Sequence, residues 1–417
     1  MNGTATDERA PVGAIAAAAL GNGIELYDFT IYSFFALTIG KLFFPIQSEF
    51  GPLLLALLTF GIGFVARPLG SVIIGAYADR AGRKPALNLT FALMALGTTL
   101  IGLCPTYDRI GVLAPLTIVA GRILQGFSAG GEIGASSTLL LEMGPREGSG
   151  VRVSWQMASQ GGAALAGALC GFALSAKALD SGLWRLPFLA GLVIGPAGLW
   201  VRGKVRETAA PRGPGRRPLA ELMRHNRRQV LCGILAIIGG TASTYVVIFY
   251  MPTYLIKVVG MPRHTAFLSG CVAGATMLAV SPLAGLLADL RRARKPLVVW
   301  SNLVMLAAAV PAFTLLAHAP GEPAVLATVA FLVACSALGS TPCLLLLMES
   351  FAPRVRATGL SLVYAVGVSI FGGFAQFAVT WLLSASGDPA APSWYVAAGS
   401  CAALCGLALL PEKAPQG

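Results

Sequence analysis

Six ionisable side chains stand within or at the edge of long apolar stretches, where solubility does not call for them. The acids are Glu25, Asp28 and Glu132, and the bases are Arg67, Arg122 and Arg185. All six fall in the first half of the chain. The C-terminal stretches hold no clear mid-segment charge, because Asp289 and Glu349 sit at segment ends. A charge at mid-bilayer costs roughly 3 kcal/mol or more, so such groups pair with one another or line a wet cavity. Burial disfavours a carboxylate's charge and a nearby guanidinium favours it, so acids in this setting can be poised to take up and release protons. Guanidinium forks match carboxylates bidentately, so the bases are suited to an organic anion.

The elements that carry these groups are helices. The chain has 417 residues, 56% hydrophobic and only 12% charged, with a mean hydropathy of +0.74; a soluble chain of this size would be about a quarter charged. Apolar runs long enough to cross a bilayer recur at about 12–39, 51–78, 85–104, 110–141, 150–176, 185–201, 229–256, 265–288, 296–317, 323–348, 357–385 and 393–410. A bilayer core satisfies no open strand edge, so all twelve read as helical. The expected class is an all-α integral membrane protein with twelve transmembrane helices.

The net charge of +12 reflects topology rather than a nucleic-acid partner. With the N-terminus inside, 20 of the 30 Lys and Arg residues fall in cytoplasmic loops and two more in the tails. Six fall on the opposite side, and Arg67 and Arg122 lie within helices. This asymmetry predicts a multi-pass protein with both termini in the cytoplasm. The polar start, with Asp7 and Glu8, differs from a basic signal n-region, so no cleaved signal peptide is expected. The eight cysteines lie in or beside apolar helices without zinc spacing, and Cys401 and Cys405 read as small hydrophobes. No HExxH site, phosphate loop or nucleophile elbow appears, so an enzyme is not expected, nor any cofactor beyond a coupling proton.

The chain repeats near half its length. GAYADRAGRKPAL (Gly75 to Leu87) returns as GLLADLRRARKPL (Gly285 to Leu297), and LLLEMGPREGSGVRVS (Leu139 to Ser154) has a counterpart in LLMESFAPRVRATGLS (Leu346 to Ser361). Such offsets predict a duplicated six-helix unit: an N-terminal bundle over 1–201, a basic PRGPGRRP-bearing linker over 202–228 and a C-terminal bundle over 229–417. The loop formed by Gly75, Asp79, Arg80, Gly82, Arg83 and Lys84 resembles the signature loop of the major facilitator superfamily. Its acid and basic cluster could pair across the cytoplasmic seam and hold one gate state, or serve only topology and helix capping. The second copy, at Asp289, carries an extra residue and lacks the glycine, which leaves its gating role less defined. GNGIELYDFTIY, FVARPLGSVIIGAYADRAGRK, GRILQGFSAGGEIG and WRLPF together resemble the metabolite:proton symporter family. SWQMASQ, FYMPTY, SIFGG and SGDPAAPSWY are similar to its citrate–proton symporter branch. The resemblance covers nearly the whole chain and implies two pseudo-symmetric six-helix bundles.

Helix geometry says which buried groups share a face. At about 100° per residue, Glu25 and Tyr32 lie within about 20° of each other on the first helix, with Asn22 and Asp28 about 60° to either side. On the fourth helix Arg122, Gln125, Ala129 and Glu132 fall within about an 80° sector. Gln156 and Gln160 share a face of the fifth helix, with Ser159 alongside. In the family's fold helices one and four line the N-terminal half of the central cavity and helix two meets the other half, so these stripes are expected to converge near mid-membrane.

The resemblance implies a proton-coupled symporter that imports a di- or tricarboxylate, citrate or tricarballylate first, across a bacterial inner membrane as a monomer. Arg67, Arg122 and Arg185 are the expected carboxylate ligands, and Asn22, Tyr32, Gln125, Gln156, Ser159 and Gln160 the neutral hydrogen-bonding groups. Tyr250, Thr253, Tyr254, Tyr364 and Gln376 are the polar candidates of the second half; Tyr250 and Tyr254, counted among the substrate ligands, flank Pro252 on the seventh helix, where a kink suits a moving gate. Glu25 or Asp28 is the expected proton carrier, with Glu132 next. Structural readings stand beside these: Arg122 and a first-helix acid as an ordering ion pair, Arg67 as a lock on Glu132 or on carbonyls, Arg185 as an interfacial anchor beside Trp184, and Gly126, Gly130, Gly131 and Gly134 as close-packing positions. The alternative substrates are another organic acid, such as 2-oxoglutarate or shikimate, and a compatible solute such as betaine or proline. A membrane sensor on the same fold is a remote alternative.

Overall fold

The structure is a computed structural model and describes residues 12–81, 83–130, 137–138, 140–145, 147–175, 182–192, 222–224, 226–291, 294–353 and 355–410. Among the described residues there is no strand. Among those residues, eight helical spans are long and apolar enough to cross a membrane: the second (Gly51–Ile74), fifth (Ser149–Ser175), seventh (Arg227–Lys257), eighth (Arg263–Leu290), ninth (Lys295–Ala317), tenth (Glu322–Ser350), eleventh (Arg356–Ser386) and twelfth (Ala391–Leu409). The other four of the twelve are the first, Val12–Phe34 continued by Ala36–Phe43; the third, Arg83–Leu103; the fourth, Leu113–Ser128; and the sixth, described over Leu183–Leu192. Val72 and Trp300, 70% and 65% exposed, point outward, which is how a lipid-facing surface looks when it is read as if in water. Most of the expected linker lies outside the described residues.

Two irregularities break the regular helices where the sequence invites it. The seventh span opens into a π-helical stretch over Tyr245–Tyr250, just before Pro252; proline donates no backbone hydrogen bond, and the wider turn absorbs the break. The eleventh span divides after Phe371 and resumes at Ala375, across Gly372 and Gly373.

The packing that positions the site is glycine-mediated. A Cβ on Gly126 of the fourth span would collide with the Gly63 carbonyl of the second, and one on Gly130 with the Arg67 carbonyl. Close backbone approach of this kind replaces the hydrophobic drive that lipid removes. It sets Arg67 and Arg122 on two helices pressed face to face. The fifth and eighth spans press together in the same way, Gly150 on Gly285 and Gly161 on Gly274, and so join the first six spans to the last six.

Candidate functional site

The first-span stripe diverges in the fold. Asn22 turns to the fifth span, Glu25 to the second, Asp28 to the third and Tyr32 to the second nearer its start. Each is buried.

Glu25 Oε1 lies 3.8 Å from Arg67 Nη2. The Arg67 guanidinium also lies over two rings, 4.4 Å from the centre of Phe29 and 4.2 Å from that of Phe64. Arg122 lies over Phe29 as well, at 4.5 Å, and over Tyr32 at 4.5 Å and Phe60 at 4.9 Å. Phe29 thus holds both buried guanidinia, through the attraction of a cation to a ring face. Residue Phe29 carried no signal in the sequence, because a phenylalanine in an apolar helix reads as packing.

Arg122 does not meet its acid directly. Its Nη1 donates to Gln125 Oε1 at 2.8 Å, Gln125 Nε2 donates to Thr98 Oγ1 at 2.9 Å, and Thr98 Oγ1 donates to Asp28 Oδ2 at 2.7 Å. Gln125, three residues beyond Arg122 on the same face, intercepts the guanidinium, and Thr98 of the third span closes the gap. Thr98 was not among the expected site residues. A threonine in a transmembrane helix most simply bonds its own backbone, as Thr99 does to Ala95.

Asn22 clasps the fifth span. Its Nδ2 donates to the Gln156 carbonyl and to Ser159 Oγ, while its Oδ1 accepts from Gln156 Nε2 at 2.8 Å. All the hydrogen-bonding capacity of its amide nitrogen is committed there.

A cavity opens between the first six spans and the last six. From the first set Asn22, Arg67, Gln156 and Gln160 line it; from the second set come Thr241, Tyr245, Asn302, Ser336, Ser340 and Tyr364. Among the described lining residues Arg67 is the one Lys or Arg, and none is an acid. The polar part of the described wall is therefore a single cation with hydroxyls and amides, set among apolar residues such as Leu26, Ile237 and Met305, a lining suited to an anion carrying further polar groups. Of the polar residues from the second set, sequence reasoning named only Tyr364. Scattered serines and asparagines in apolar helices have no periodicity that distinguishes a cavity wall from a helix contact.

The remaining expected residues lie off this wall. Arg122, Gln125 and Asp28 stand behind Arg67, inside the first bundle. Tyr32 Oη donates to the Ala56 carbonyl. Arg185 Nη2 donates to the Cys104 carbonyl at 2.8 Å and its guanidinium lies over Trp184 at 4.6 Å, the anchoring arrangement weighed as its alternative. Tyr250 Oη is 2.9 Å from Thr380 Oγ1, and Tyr254 Oη donates to the Pro389 carbonyl. Glu132, Gly131 and Gly134 lie outside the described residues, as do Gly82 and the side chains of Asp79, Arg80, Arg83 and Lys84.

Asp289, at the end of the eighth span, accepts from the backbone N–H groups of Gly150 at 2.7 Å and Val151 at 3.0 Å. These are unpaired donors at the start of the fifth helix, where an anion is favoured by the helix dipole. Nearby, Arg356 pairs with Glu142 at 3.0 Å. At the opposite end of the bundle Lys257 pairs with Glu49 at 3.3 Å, and Ser33 Oγ lies 2.9 Å from Gln376 Oε1. Each of these contacts joins the first six spans to the last six.

A helical bundle whose polar cavity lies between two sets of six spans defines a membrane transporter. The chain belongs to the Major Facilitator Superfamily, whose sequence pattern matches residues 19–280; the pattern of the family described as sugar (and other) transporters matches residues 206–412. Among its relatives is the citrate-proton symporter of Klebsiella pneumoniae, 36% identical over 97% of this chain and 92% of that one. The citrate-proton symporter of Salmonella typhi is 34% identical over 97% and 94%. A putative proline/betaine transporter of Staphylococcus aureus (strain COL) is 31% identical over 92% and 84%. The crystal structure of a D-xylose-proton symporter shares the fold with a TM-score of 0.77 at 19% identity, covering 97% of this chain and 99% of that one.

Proposed function

We propose that the chain is a proton-coupled symporter that imports a di- or tricarboxylate, citrate first, across a bacterial inner membrane by alternating access of its two six-helix halves. The observation that carries this reading is Arg67: a buried guanidinium lines the cavity and has an acid, Glu25, as its counter-ion at 3.8 Å. The citrate-proton symporters among the relatives support the substrate class. A carboxylate of the substrate takes the Arg67 fork from Glu25, and the added negative charge is balanced by a proton on one of the two buried acids, Glu25 or Asp28. Anion and proton then bind together, which is symport. Gln156 and Gln160 supply hydrogen bonds from the first half, and Asn302, Ser336, Ser340 and Tyr364 supply them from the second. Asp28, tied to Arg122 through Thr98 and Gln125, is the second titrating acid and the one from which we expect net proton movement. The halves run over 1–201 and 229–417 with the linker at 202–228, both termini face the cytoplasm, and the unit works as a monomer.

Proline/betaine transporters among the relatives favour a second reading, import of a compatible solute. A quaternary ammonium needs an aromatic cage, whereas the described cavity wall offers Tyr245 and Tyr364 beside a cation. Purified protein in liposomes decides between them. Labelled citrate should accumulate under an imposed pH gradient, with no requirement for sodium, and unlabelled tricarballylate should compete more strongly than betaine. Accumulation of betaine but not citrate would refute the carboxylate reading.

A further inference from the structure

The hydrogen-bond chain that ends on Asp28 has a fixed direction. A guanidinium only donates, so Gln125 must turn its Oε1 to Arg122 Nη1. That leaves Gln125 Nε2 facing Thr98 Oγ1, and an amide N–H also only donates. Thr98 Oγ1 therefore accepts from Gln125 and gives its single proton to Asp28 Oδ2 at 2.7 Å. Every donor in the chain points at Oδ2. The other oxygen, Asp28 Oδ1, has no hydrogen-bond partner among the described residues although the side chain is buried. It faces Gly191 of the sixth span, where a Cβ would stand 2.6 Å away; glycine leaves that oxygen its room.

From this geometry we propose that Thr98 is the positioning residue of the proton carrier: it ties Asp28 Oδ2 to Arg122 through Gln125 and reserves Oδ1, beside Gly191, for the transported proton. The assignment rests on the reading of the chain as a proton symporter. Loading takes a proton from hydronium on one side of the membrane, breaking an O–H bond there and forming one on Oδ1; it cancels one negative charge and leaves the donor chain intact. Unloading breaks that bond and returns the proton to water on the other side of the membrane. Among the described residues, Arg122 of the fourth span is the charged group that faces Asp28. Tyr27, next to it on the first span, is committed to the Pro187 carbonyl and lies 3.6 Å from Cys170 of the fifth. From the second span Arg67 is held at Glu25, and in the described part of the sixth Arg185 is bonded to the Cys104 carbonyl.

The test compares wild type, Thr98→Val, Thr98→Ser and Gly191→Ala in liposomes, reading pH-driven citrate uptake and gradient-free citrate exchange across a pH series. Valine keeps the shape of threonine but removes the donor that favours the charged carboxylate. Asp28 should then hold its proton to more alkaline pH, and the profile of driven uptake should shift in that direction by about one unit or more. Exchange should persist, and serine should restore the wild-type profile. In Gly191→Ala the methyl group crowds Oδ1, and driven uptake should be lost while exchange remains. An unchanged profile in Thr98→Val overturns the proposal, as does a serine variant shifted as far as the valine one. Should Thr98→Val fail to reach the membrane, wild-type driven uptake in Gly191→Ala overturns it instead. A wild-type protein that exchanges citrate but accumulates none under any pH gradient refutes proton symport itself, a failure separate from these.

Discussion

Replacement of Arg67 by lysine tests the binding reading most directly. Lysine keeps the positive charge near Glu25 but loses the planar fork and the fit over Phe29 and Phe64. Those rings lie 4.4 Å and 4.2 Å from the guanidinium carbon and hold it beside the cavity. The loss of one charge-assisted hydrogen bond to a substrate carboxylate is about 1.5–3 kcal/mol. Each 1.4 kcal/mol is about tenfold in affinity, so the half-saturating citrate concentration should rise roughly tenfold to a hundredfold. Gradient-free exchange of labelled citrate is the assay, because it reads binding and the return of the loaded carrier without the driving pH difference. Arg122→Lys is the matched control. Arg122 does not line the cavity, so its variant should keep the wild-type half-saturation in exchange and lose pH-driven accumulation. If Arg67→Lys left half-saturation unchanged, or Arg122→Lys raised it as much, the assignment of Arg67 to the substrate would be wrong.

Asp28→Asn should abolish pH-driven accumulation and spare exchange, since the amide can still accept from Thr98 but cannot carry a proton; unimpaired accumulation would sink the role of Asp28. Gly126→Ala should destabilise the fold by about 1–3 kcal/mol or more through overpacking, because the new methyl group collides with the Gly63 carbonyl; a lowered Tm in detergent checks this. Asp289→Ala removes the carboxylate that caps Gly150 and Val151, an arrangement worth about 0.5–2 kcal/mol at a helix start. A cysteine placed at Gln160 should then be alkylated faster from the cytoplasmic side, and an unchanged rate would deny Asp289 a gating part.

Much of the architecture is legible in the sequence. Length and apolarity identify spans, because a bilayer allows only helices across it, and most of the described helices begin and end within a few residues of the expected positions; the fourth, expected to run to 141, ends at Ser128 before a turn. Buried charges were legible for the same reason: an arginine in an apolar helix has no bland solvent-facing explanation. Arg67 and Glu25 were each marked in this way, and so were Arg122 and Asp28.

Partnership was not legible. The helical period places Asn22, Glu25, Asp28 and Tyr32 on one stripe, but a stripe about 120° wide can face several neighbours at once. The fold deals these four residues to the fifth, second and third spans. Thr98, Gly191 and Phe29 take part because glycine contacts bring particular helices close at particular heights, and no single helix encodes that. The cavity's second wall is the clearest case. Asn302, Ser336 and Ser340 are small polar residues whose types fit a helix contact as well as a binding site, and only the docking of two bundles turns them toward Arg67. The sequence by itself determined that this chain crosses a membrane with buried charge in one half; the tertiary structure alone decided which charge faces the cavity, because that depends on distances between helices rather than on the order of residues along them.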